Sequence, residues 1–249
     1  MLKNSEYFSR RGSIRQYKAE RVSDEMIDEI IRQAAKAPTT GNMQLYSVIV
    51  TSSEEGKERI AGAHFNQPMV KGCSHLLTIC ADFNRFTRWC EINNADAGFD
   101  NPLSFISAMT DAVILAQQIC TIAEMNGLGT CYLGTVTYNA AQIAEILELP
   151  ELVVPVACVS IGIPAVEIPE TERLPLEAFR YSEKYPRLSD GEITELYKAK
   201  DEYAPNKKFI EENGKQNLAQ VFAEVRYPRA MNEEFSRTFM DFLKKSRFL

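Results

Sequence analysis

The sequence predicts an α+β fold, with helices and strands around one sheet, on the basis of three observations. The chain has 249 residues, of which 45% are hydrophobic and 25% are charged, and this composition is typical of a globular domain. Helix-like and strand-like runs follow one another without the regular strand–helix alternation of a doubly wound fold. The chain is also long enough to bury a large core without disulfides or a structural metal. We therefore expect a single domain over residues 1–249, in which residues 164–249 form an extended segment followed by a helical extension.

The first strong helix is predicted between Ser23 and Pro38. Ser23 is a typical N-cap residue, and two acidic residues follow it in the first turn. Apolar residues then recur at helical spacing until the proline ends the pattern. Two β-rich runs come next, and we expect strands over residues 45–51 and 76–81.

The longest predicted helix lies between Pro102 and Gly127. Apolar and small residues cover more of its circumference than a surface helix needs, which places it in a core or a subunit interface. Gly127 has the position of a helix-ending glycine. A further helix over residues 139–149, with Asn139 and Gln142 spaced as in a capping box, precedes a buried strand over residues 153–163.

The character of the chain changes after this strand. Residues 164–188 contain four prolines and few periodic apolar residues, so we expect an extended surface segment. Ser189 and Glu192 have the spacing of a capping box and open another helix. The last helix, over about residues 232–245, is amphipathic and has phenylalanines on its apolar side.

Charge and residue content exclude several functional classes. The 28 basic and 34 acidic residues leave a net charge of −6, which argues against nonspecific binding to nucleic acids or anionic membranes. The six cysteines form no Cys-x-x-Cys pair and the two histidines lack zinc-ligand spacing, so we expect no metal site. No Gly-x-Ser-x-Gly motif of a hydrolase is present. The first eleven residues lack the apolar run of a signal peptide, and no apolar run is long enough to span a membrane, so we expect a cytoplasmic protein with buried free thiols.

The segment Arg11-Gly12-Ser13-Ile14-Arg15 is a candidate phosphate cradle. In an extended chain Arg11, Ser13 and Arg15 project to one side and Ile14 to the other. Two guanidinium groups and a hydroxyl that face one way suit phosphate, because arginine binds its oxygens bidentately. The alternative is a solvated basic stretch.

Two further segments have residues that suit a planar ligand. Ala37-Pro38-Thr39-Thr40-Gly41-Asn42-Met43-Gln44 offers hydroxyls and carboxamides for the edges of a polar heterocycle, although it is also good turn chemistry. Gly127-Leu128-Gly129-Thr130-Cys131-Tyr132-Leu133-Gly134 follows a helix, so it is not a dinucleotide-binding fingerprint. Its glycines permit either a close approach of the backbone to a ligand or a helix end followed by a turn.

Together and in this order, these segments resemble the nitroreductase family of FMN-dependent oxidoreductases. Gly162-Ile163-Pro164, which leads to Arg173-Leu174-Pro175, extends the resemblance over nearly the whole chain. Ala81-Asp82-Phe83-Asn84-Arg85 and the long C-terminal part resemble the larger, NADPH-preferring branch of oxygen-insensitive nitroreductases and flavin reductases. The resemblance implies a central, mainly antiparallel sheet flanked by helices and a C-terminal extension that embraces the partner in a homodimer.

The resemblance also implies where the FMN phosphate would bind. Its ligands would be Arg11, Ser13, Arg15 and Arg173. Two positions depart from the pattern, because Gly12 and Thr171 stand where this branch commonly has basic residues. The sequence leaves open which residues replace them.

The other implied contacts concern the flavin ring and the ribityl chain. Thr39 and Thr40 would approach the flavin held mainly by the other subunit, while Asn42 and Gln67 would hydrogen-bond the ring or ribityl chain. Three residues would lie against the ring, with backbone N–H groups that could face its N5 or O4: Tyr132, Leu133 and Gly134.

The implied activity is that of an NAD(P)H-dependent FMN nitroreductase, in which no side chain is a catalytic residue because FMN carries the hydride. NADPH or NADH would reduce FMN and leave, and a nitroaromatic, a quinone or a related small molecule would then be reduced in the same cleft. Two alternatives stay open, an NAD(P)H-dependent flavin reductase and a non-enzymatic flavin-binding protein of the same fold. The physiological acceptor is also open, as is the choice of NADPH or NADH. Four lysines would either meet a 2′-phosphate or form a solvated face: Lys198, Lys200, Lys207 and Lys208.

Two features of the sequence predict a homodimer. The helix between Pro102 and Gly127 is apolar over more than one face, and its alanines allow another helix to approach closely. The C-terminal segment looks like an arm that needs a surface to cover. The alternative is that both complete the core of one subunit. The phenylalanines of the arm are Phe235, Phe239, Phe242 and Phe248.

Overall fold

The computed structural model describes residues 5–249, and its core contains a four-stranded sheet. The strands are β1 (Tyr46–Thr51), β2 (His75–Asp82), β3 (Gly129–Tyr132) and β4 (Val153–Gly162). Their order is β1-β2-β4-β3, and each neighbouring pair is antiparallel. The predicted α+β class and antiparallel sheet are confirmed. The first four residues, on which the expectation of no signal peptide partly depends, lie outside the described part.

Helices surround this sheet and continue beyond it. They are α1 (Ser5–Arg10), α2 (Asp24–Ala34), α3 (Glu54–Ala61), α4 (Pro68–Gly72), α5 (Asn84–Ile92), α6 (Pro102–Met125), α7 (Ala140–Ile146), α8 (Asp190–Glu202), α9 (Ala204–Glu212), α10 (Leu218–Gln220) and α11 (Arg229–Lys245). A π-helical segment, Val221–Arg226, follows α10 directly.

Both long helices of the first half begin and end as their sequence signals predict. The Ser23 hydroxyl accepts a hydrogen bond from the Met26 N–H at 3.2 Å, which caps α2. Gly127 follows α6 with φ of 80°, a left-handed conformation that glycine adopts without a steric penalty. The predicted strands over 45–51, 76–81 and 153–163 are present with shifts of one residue at their ends.

Two details near β3 differ from the sequence-based expectation. β3 itself was not expected, because four residues between glycines give too short a pattern to distinguish a strand from a turn. The predicted capping box at Asn139 is wrong, since that side chain makes no cap bond and instead donates to the distant Ala63 carbonyl at 2.8 Å.

Hydrophobic residues cover both faces of the sheet. Every residue of β2 and β4 is buried. One face packs against α6 and α2, and the other lies over a second cluster that includes Ile60, Val70 and Ile143 from α3, α4 and α7. Each fully buried leucine or isoleucine stabilises the fold by about 1.5–3 kcal/mol relative to an exposed one.

α6 is the one described helix long and apolar enough to cross a membrane by length and composition. It packs against β2 and β4, and it contains the buried acid Asp111. We therefore interpret its apolar character as that of a core helix.

The chain divides into two compact units. The first, which runs up to Pro169 and includes Phe235–Leu249, contains the sheet and both hydrophobic clusters. The second, Glu170–Glu234, contains α8 to α10 and has a small core of its own. The organisation as a single domain stays a prediction.

Two predicted features of the later part of the chain are present. The capping box of α8 is complete, because the Ser189 and Glu192 side chains each bond to the other's backbone N–H. The last helix begins three residues earlier than predicted and ends where predicted.

The last fifteen residues pack on their own chain. Phe248 is fully buried with its ring 5.4 Å from that of Phe105, and the Phe239 ring lies 6.1 Å from the same side chain. These phenylalanines complete the core of one subunit, so they need no partner to bury them. The predicted embrace of a partner by the extension stays a prediction.

Candidate functional site

The segment from Arg11 to Tyr17 lies in an extended conformation beside β3 and β4. The Ile14 N–H donates to the Thr130 carbonyl at 2.9 Å. The Tyr17 hydroxyl donates to the Ile14 carbonyl and contacts the Ser160 hydroxyl, both at 2.8 Å. Gly12 and Ile14 are buried whereas Arg15 is exposed, which is the alternation expected of an extended strand-like segment.

Two glycines allow this segment to approach the sheet closely. A Cβ on Gly129 would lie 2.7 Å from the Ile14 Cβ, so this glycine makes room for Ile14 and not for a ligand. A Cβ on Gly12 would lie 2.8 Å from the Pro169 carbonyl oxygen and 2.8 Å from Ile168. This crowding explains why position 12 is a glycine.

Arg11 is held by a carboxylate of α6. Its Nε lies 3.2 and 3.3 Å from the two Glu124 carboxylate oxygens, and its Nη2 lies 3.2 Å from Oε1. The same carboxylate accepts hydrogen bonds from the hydroxyls of Tyr7, at 2.7 Å, and Thr130. Glu124 is 10% exposed and Arg11 26%, so the pair is well shielded from solvent.

These contacts shift the titration of the groups involved. Burial and the Glu124 hydrogen bond raise the pKa of Tyr7 to about 12. Burial lowers the pKa of Arg11, but the hydrogen bond and charge of Glu124 outweigh that effect and raise it above its ordinary value. Arg11 therefore stays charged and keeps a defined orientation.

Arg15 completes the basic side of this segment. It is exposed, and its guanidinium lies close enough to the buried Cys131 thiol of β3 to act on it. Burial raises the pKa of that thiol, while the positive charges of Arg15 and Arg11 act in the opposite direction. The structure thus brings Arg11, Ser13 and Arg15 together beside β3, and we call these three residues the cradle.

Arg173, the fourth predicted phosphate ligand, belongs to the second compact unit. Its guanidinium donates to the Glu172 carbonyl at 2.8 Å. Its participation in the cradle stays a prediction.

The predicted ring contacts Tyr132, Leu133 and Gly134 follow one another at the end of β3. Tyr132 is half exposed, and burial of its other half raises the pKa of its hydroxyl. The Leu133 N–H donates to the Cys158 carbonyl at 2.8 Å. β4 therefore already uses this amide, and the expectation that backbone N–H groups of this segment face a ligand stays a prediction.

A loop that contains Gln67 is fastened beside this end of β3. The His64 Nδ1 lies 2.8 Å from the Thr135 hydroxyl, and the Asn139 side chain bonds to the Ala63 carbonyl. We call the two joined segments, residues 62–67 and 132–139, the ring end. The sequence did not predict this contact of His64. The residue was a candidate only for a metal ligand or a catalytic base, and no motif surrounds it.

Two buried polar atoms at the ring end have no hydrogen-bond partner among residues 5–249. They are the Gln67 Oε1 and the His64 Nε2. Burial lowers the pKa of His64 to about 4, so this imidazole is neutral at pH 7. Buried polar groups in proteins are nearly always hydrogen-bonded, and an unpartnered pair at one place indicates a missing ligand or water.

The turn from Thr39 to Gln44 lies against the other half of α6. The Thr40 N–H and hydroxyl both donate to the Asp111 Oδ1 at 2.9 Å. Thr39 has a buried hydroxyl without a partner, whereas Asn42 is exposed with a positive φ of 56°. Among the three residues of this turn that we expect to contact the flavin, Thr39 is therefore the one whose buried hydroxyl is available for a ligand.

The Asp82–Arg85 pair explains the Ala81-Asp82-Phe83-Asn84-Arg85 motif. Arg85 donates to the Gln44 carbonyl at 2.7 Å and the Tyr46 carbonyl at 3.1 Å, and it pairs with Asp82 at 3.2 Å. The motif therefore supports the shape of the Thr39–Gln44 turn.

The two carboxylates on α6 show how far the turn is from the cradle. Asp111 holds Thr40, and Glu124 holds Arg11. Thirteen residues separate these carboxylates, and at 1.5 Å per residue this is roughly 20 Å along the helix axis. Thr40 and Arg11 therefore do not meet at one point within the chain.

The residues present fit a phosphate-bearing planar cofactor. The cradle has two guanidinium groups that both act on the Cys131 thiol of β3, with the half-buried Ser13 between them in the chain. Gln67 and Thr39, both expected to contact the flavin, have buried polar atoms that lack a partner in the described structure. A ligand with polar edges would supply these missing hydrogen bonds.

Comparisons with known proteins find similar sequences and a similar fold. The model of the Nitroreductase family matches residues 8–163. An FMN reductase [NAD(P)H] of Bacillus subtilis is 34% identical over 224 residues, which cover 87% of this chain and 89% of that protein. An oxygen-insensitive NADPH nitroreductase of Salmonella typhimurium is 29% identical over 178 residues, 72% of each chain. A solved Bacteroides fragilis structure, described as a candidate oxidoreductase, is 42% identical with a TM-score of 0.96 and covers 98% of this chain and 99% of its own.

Proposed function

Because this chain belongs to the nitroreductase family, we propose that it moves hydride from NAD(P)H through FMN to nitroaromatics, quinones or related acceptors. It is an NAD(P)H-dependent FMN oxidoreductase, and its relatives include proteins named as an FMN reductase and as an NADPH nitroreductase. When bound, FMN supplies the redox chemistry, so the side chains only bind, orient and shield. The two substrates take turns in one cleft, which makes the kinetics ping-pong.

The electrons of the overall reaction balance without any further reagent. NAD(P)H gives up a hydride and becomes NAD(P)⁺. A quinone gains that hydride and one proton to become a hydroquinone. A nitro group gains that hydride and one proton from solvent and loses water, which leaves a nitroso group.

The observation that supports this function best is the unpartnered Gln67 carboxamide oxygen. It is buried beside the end of β3, where the resemblance places the flavin ring, and the chain offers it no hydrogen bond. We propose that Gln67 bonds the ring or ribityl chain, that Tyr132 lies against the ring, and that the cradle holds the phosphate. Glu124 orients Arg11 for this purpose through its two-point contact.

We further propose that the functional unit is a homodimer with Thr39 and Thr40 near the partner's flavin. The separation of roughly 20 Å along α6 keeps Thr40 away from the cradle of its own chain. α6 also exposes Leu103, Ile106 and Val113, which recur on one side of the helix. A second copy that covers this stripe would bury it. Dissociation should then release FMN, which light scattering and flavin fluorescence along a dilution series would detect.

A flavin reductase is the second candidate, because the 34% identical relative has that name. Comparing free FMN with a nitroaromatic as the acceptor separates the two enzyme functions. The choice between NADPH and NADH stays open. Three of the four candidate lysines are ion-paired within the second unit, with Lys200 lying 2.6 Å from Glu172. We propose a cytoplasmic location, since all six cysteines are free thiols.

The absorption spectrum of the purified protein tests the function directly. We expect a flavin spectrum that bleaches when NADPH or NADH is added without oxygen and returns when a nitroaromatic is added. A flavin-binding protein without activity would keep its colour under NAD(P)H. A colourless protein that takes up no FMN on reconstitution would overturn the proposal.

Arg15→Ala tests the cradle. A charge-assisted hydrogen bond contributes about 1.5–3 kcal/mol, so the loss of Arg15 should weaken FMN affinity roughly 10- to 100-fold. Titration of the apoprotein with FMN measures this change. An unchanged dissociation constant in a folded variant would mean that the segment is only a solvated basic stretch.

A further inference from the structure

Three aromatic side chains that the proposed roles leave unused meet at the ring end. The Tyr138 and Phe235 rings are stacked, with centroids 4.8 Å apart and planes at 23°. Phe65 stands edge-on to both, with its centroid 6.5 Å from that of Tyr138 and 6.3 Å from that of Phe235. Phe65 is 51% exposed, so half of its surface is open to another molecule. We call these three residues the aromatic wall.

The backbone that presents Phe65 is in an unusual conformation. Phe65 and Asn66 have φ of 55° and 53°, which places two successive non-glycine residues in the left-handed region. This conformation is disfavoured for a bulky side chain and persists where surrounding contacts impose it. Here the Phe65 N–H bonds to the Gly62 carbonyl and the Asn66 N–H to the Ala61 carbonyl. Such backbone strain is typical of functional sites.

Two residues of the wall, Phe65 and Tyr138, belong to the same loops as the proposed ring contacts. Phe65 lies two residues before Gln67, and Tyr138 lies four residues after Gly134. The hydrogen bond between His64 and Thr135 joins these two loops. Burial lowers the pKa of His64 to about 4, so the imidazole is neutral near pH 7. The hydrogen bond between His64 and Thr135 therefore involves a neutral ring at that pH.

We propose that the aromatic wall stacks against the ring of the electron acceptor and so sets the preference for aromatic over non-aromatic acceptors. This inference rests on the proposed function. Aromatic rings attract one another in edge-on and offset-stacked arrangements at centroid distances of about 4.5–7 Å. The exposed side of Phe65 leaves one such position open next to a stacked pair. Phe235 extends the wall from α11, which makes the C-terminal helix part of the specificity.

A purely structural role makes a different prediction. If the three rings only hold α11 against the rest of its unit, their loss should affect every acceptor alike. If they bind the acceptor ring, the Michaelis constant should rise for aromatic acceptors alone.

The experiment compares acceptors in steady-state kinetics of the FMN-loaded enzyme. The probes are p-nitrobenzoate and 1,4-naphthoquinone as acceptors that contain a benzene ring and ferricyanide as the non-aromatic one. We expect Phe65→Ala to raise KM for both aromatic probes about 2- to 10-fold, with KM for ferricyanide and the rate of reduction by NAD(P)H unchanged. Phe65→Tyr should restore the aromatic values, and Phe235→Ala should shift them in the same direction as Phe65→Ala.

Trp89→Ala is the matched control. Trp89 is an exposed ring in a separate cluster with Phe86 on α5, so its loss should leave all three KM values unchanged. An equal rise for ferricyanide in Phe65→Ala, or a rise in KM for NAD(P)H alone, would overturn the proposal. So would unchanged aromatic KM values in both alanine variants. A wild-type protein that NAD(P)H does not reduce would overturn the proposed function itself, which is a different result from loss of the aromatic preference.

Discussion

The cradle and the ring end differ in how their polar groups are satisfied. At the cradle, Arg11 has a carboxylate partner, and that carboxylate also bonds Tyr7 and Thr130. At the ring end, Gln67 and His64 each keep a buried polar atom without a partner. The chain supplies partners to Arg11 of the cradle, whereas the described residues leave these two atoms of the ring end without one. Loss of the Glu124 carboxylate should therefore weaken the fold, and loss of the Gln67 carboxamide should weaken ligand binding.

Charge follows the same division. The cradle has two guanidinium groups and one compensating carboxylate, so it keeps a net positive charge for a phosphate. The ring end offers a neutral imidazole and a carboxamide. A charged group suits one end of FMN and neutral hydrogen bonds suit the other.

The largest effect is expected from Glu124→Ala. This change leaves the Arg11 guanidinium and the Tyr7 hydroxyl without their partner, which should lower the free energy of unfolding by about 3 kcal/mol. Urea unfolding of the apoprotein measures it. Glu6→Ala is the control, because its pair with Arg10 is 75% and 74% exposed and should matter by less than about 0.5 kcal/mol. Equal losses in both variants would mean that the shielded Arg11–Glu124 pair stabilises the fold no more than the exposed Glu6–Arg10 pair.

His64 gives a pH-dependent effect at the ring end. Its folded-state pKa of about 4 lies below the ordinary value near 6.5, so the folded state binds fewer protons than the unfolded state in this range. The stability it contributes is present above about pH 6.5 and is lost as the pH falls toward 4, by up to about 3 kcal/mol.

The comparison of wild type with His64→Gln isolates this term, because the other titrating groups are shared. The difference between their unfolding free energies should shrink or reverse between pH 6.5 and 4. Parallel curves would mean that folding does not lower the pKa of His64.

Gln67→Met gives the smallest change in stability and the sharpest test of the contrast. It replaces an unpartnered buried carboxamide by an apolar side chain of similar shape, so the apoprotein should be as stable as the wild type or slightly more stable. FMN affinity should fall about 3- to 10-fold, because one hydrogen bond to the ligand is lost. Gln33→Met, at an exposed position of α2, is the control. A destabilised apoprotein with unchanged FMN affinity would mean that Gln67 stabilises the fold and does not bind the ligand.

Local signals predicted the elements that depend on local chemistry. The Ser23 cap, the Gly127 helix end and the complete capping box at Ser189 are interactions between residues close in the chain, and each is present. Asn139 had the same kind of signal, but its side chain bonds to Ala63, 76 residues away. A pattern of neighbours cannot reveal such a partner, and this is why the prediction there was wrong.

The candidate site shows the same limit. The alternation in the Arg11–Arg15 segment was readable, because the geometry of an extended chain determines which side chains share a side. The sequence could not predict that Arg11 pairs with Glu124 or that the Leu133 N–H donates to the Cys158 carbonyl, because both partners are distant in the chain.

By itself the sequence determined the fold class, the caps and the residue types that suit a phosphate and a planar ring, because spacing and side-chain chemistry are properties of the chain. Only the tertiary structure decided which of those groups are already satisfied. Ile14 fills the space beside Gly129, and Glu124 pairs with Arg11. The Gln67 carboxamide oxygen, in contrast, has no hydrogen-bond partner among the described residues. Hydrogen bonds and close packing between distant residues form only when the chain folds, so the difference between an occupied polar group and an available one is a property of the fold.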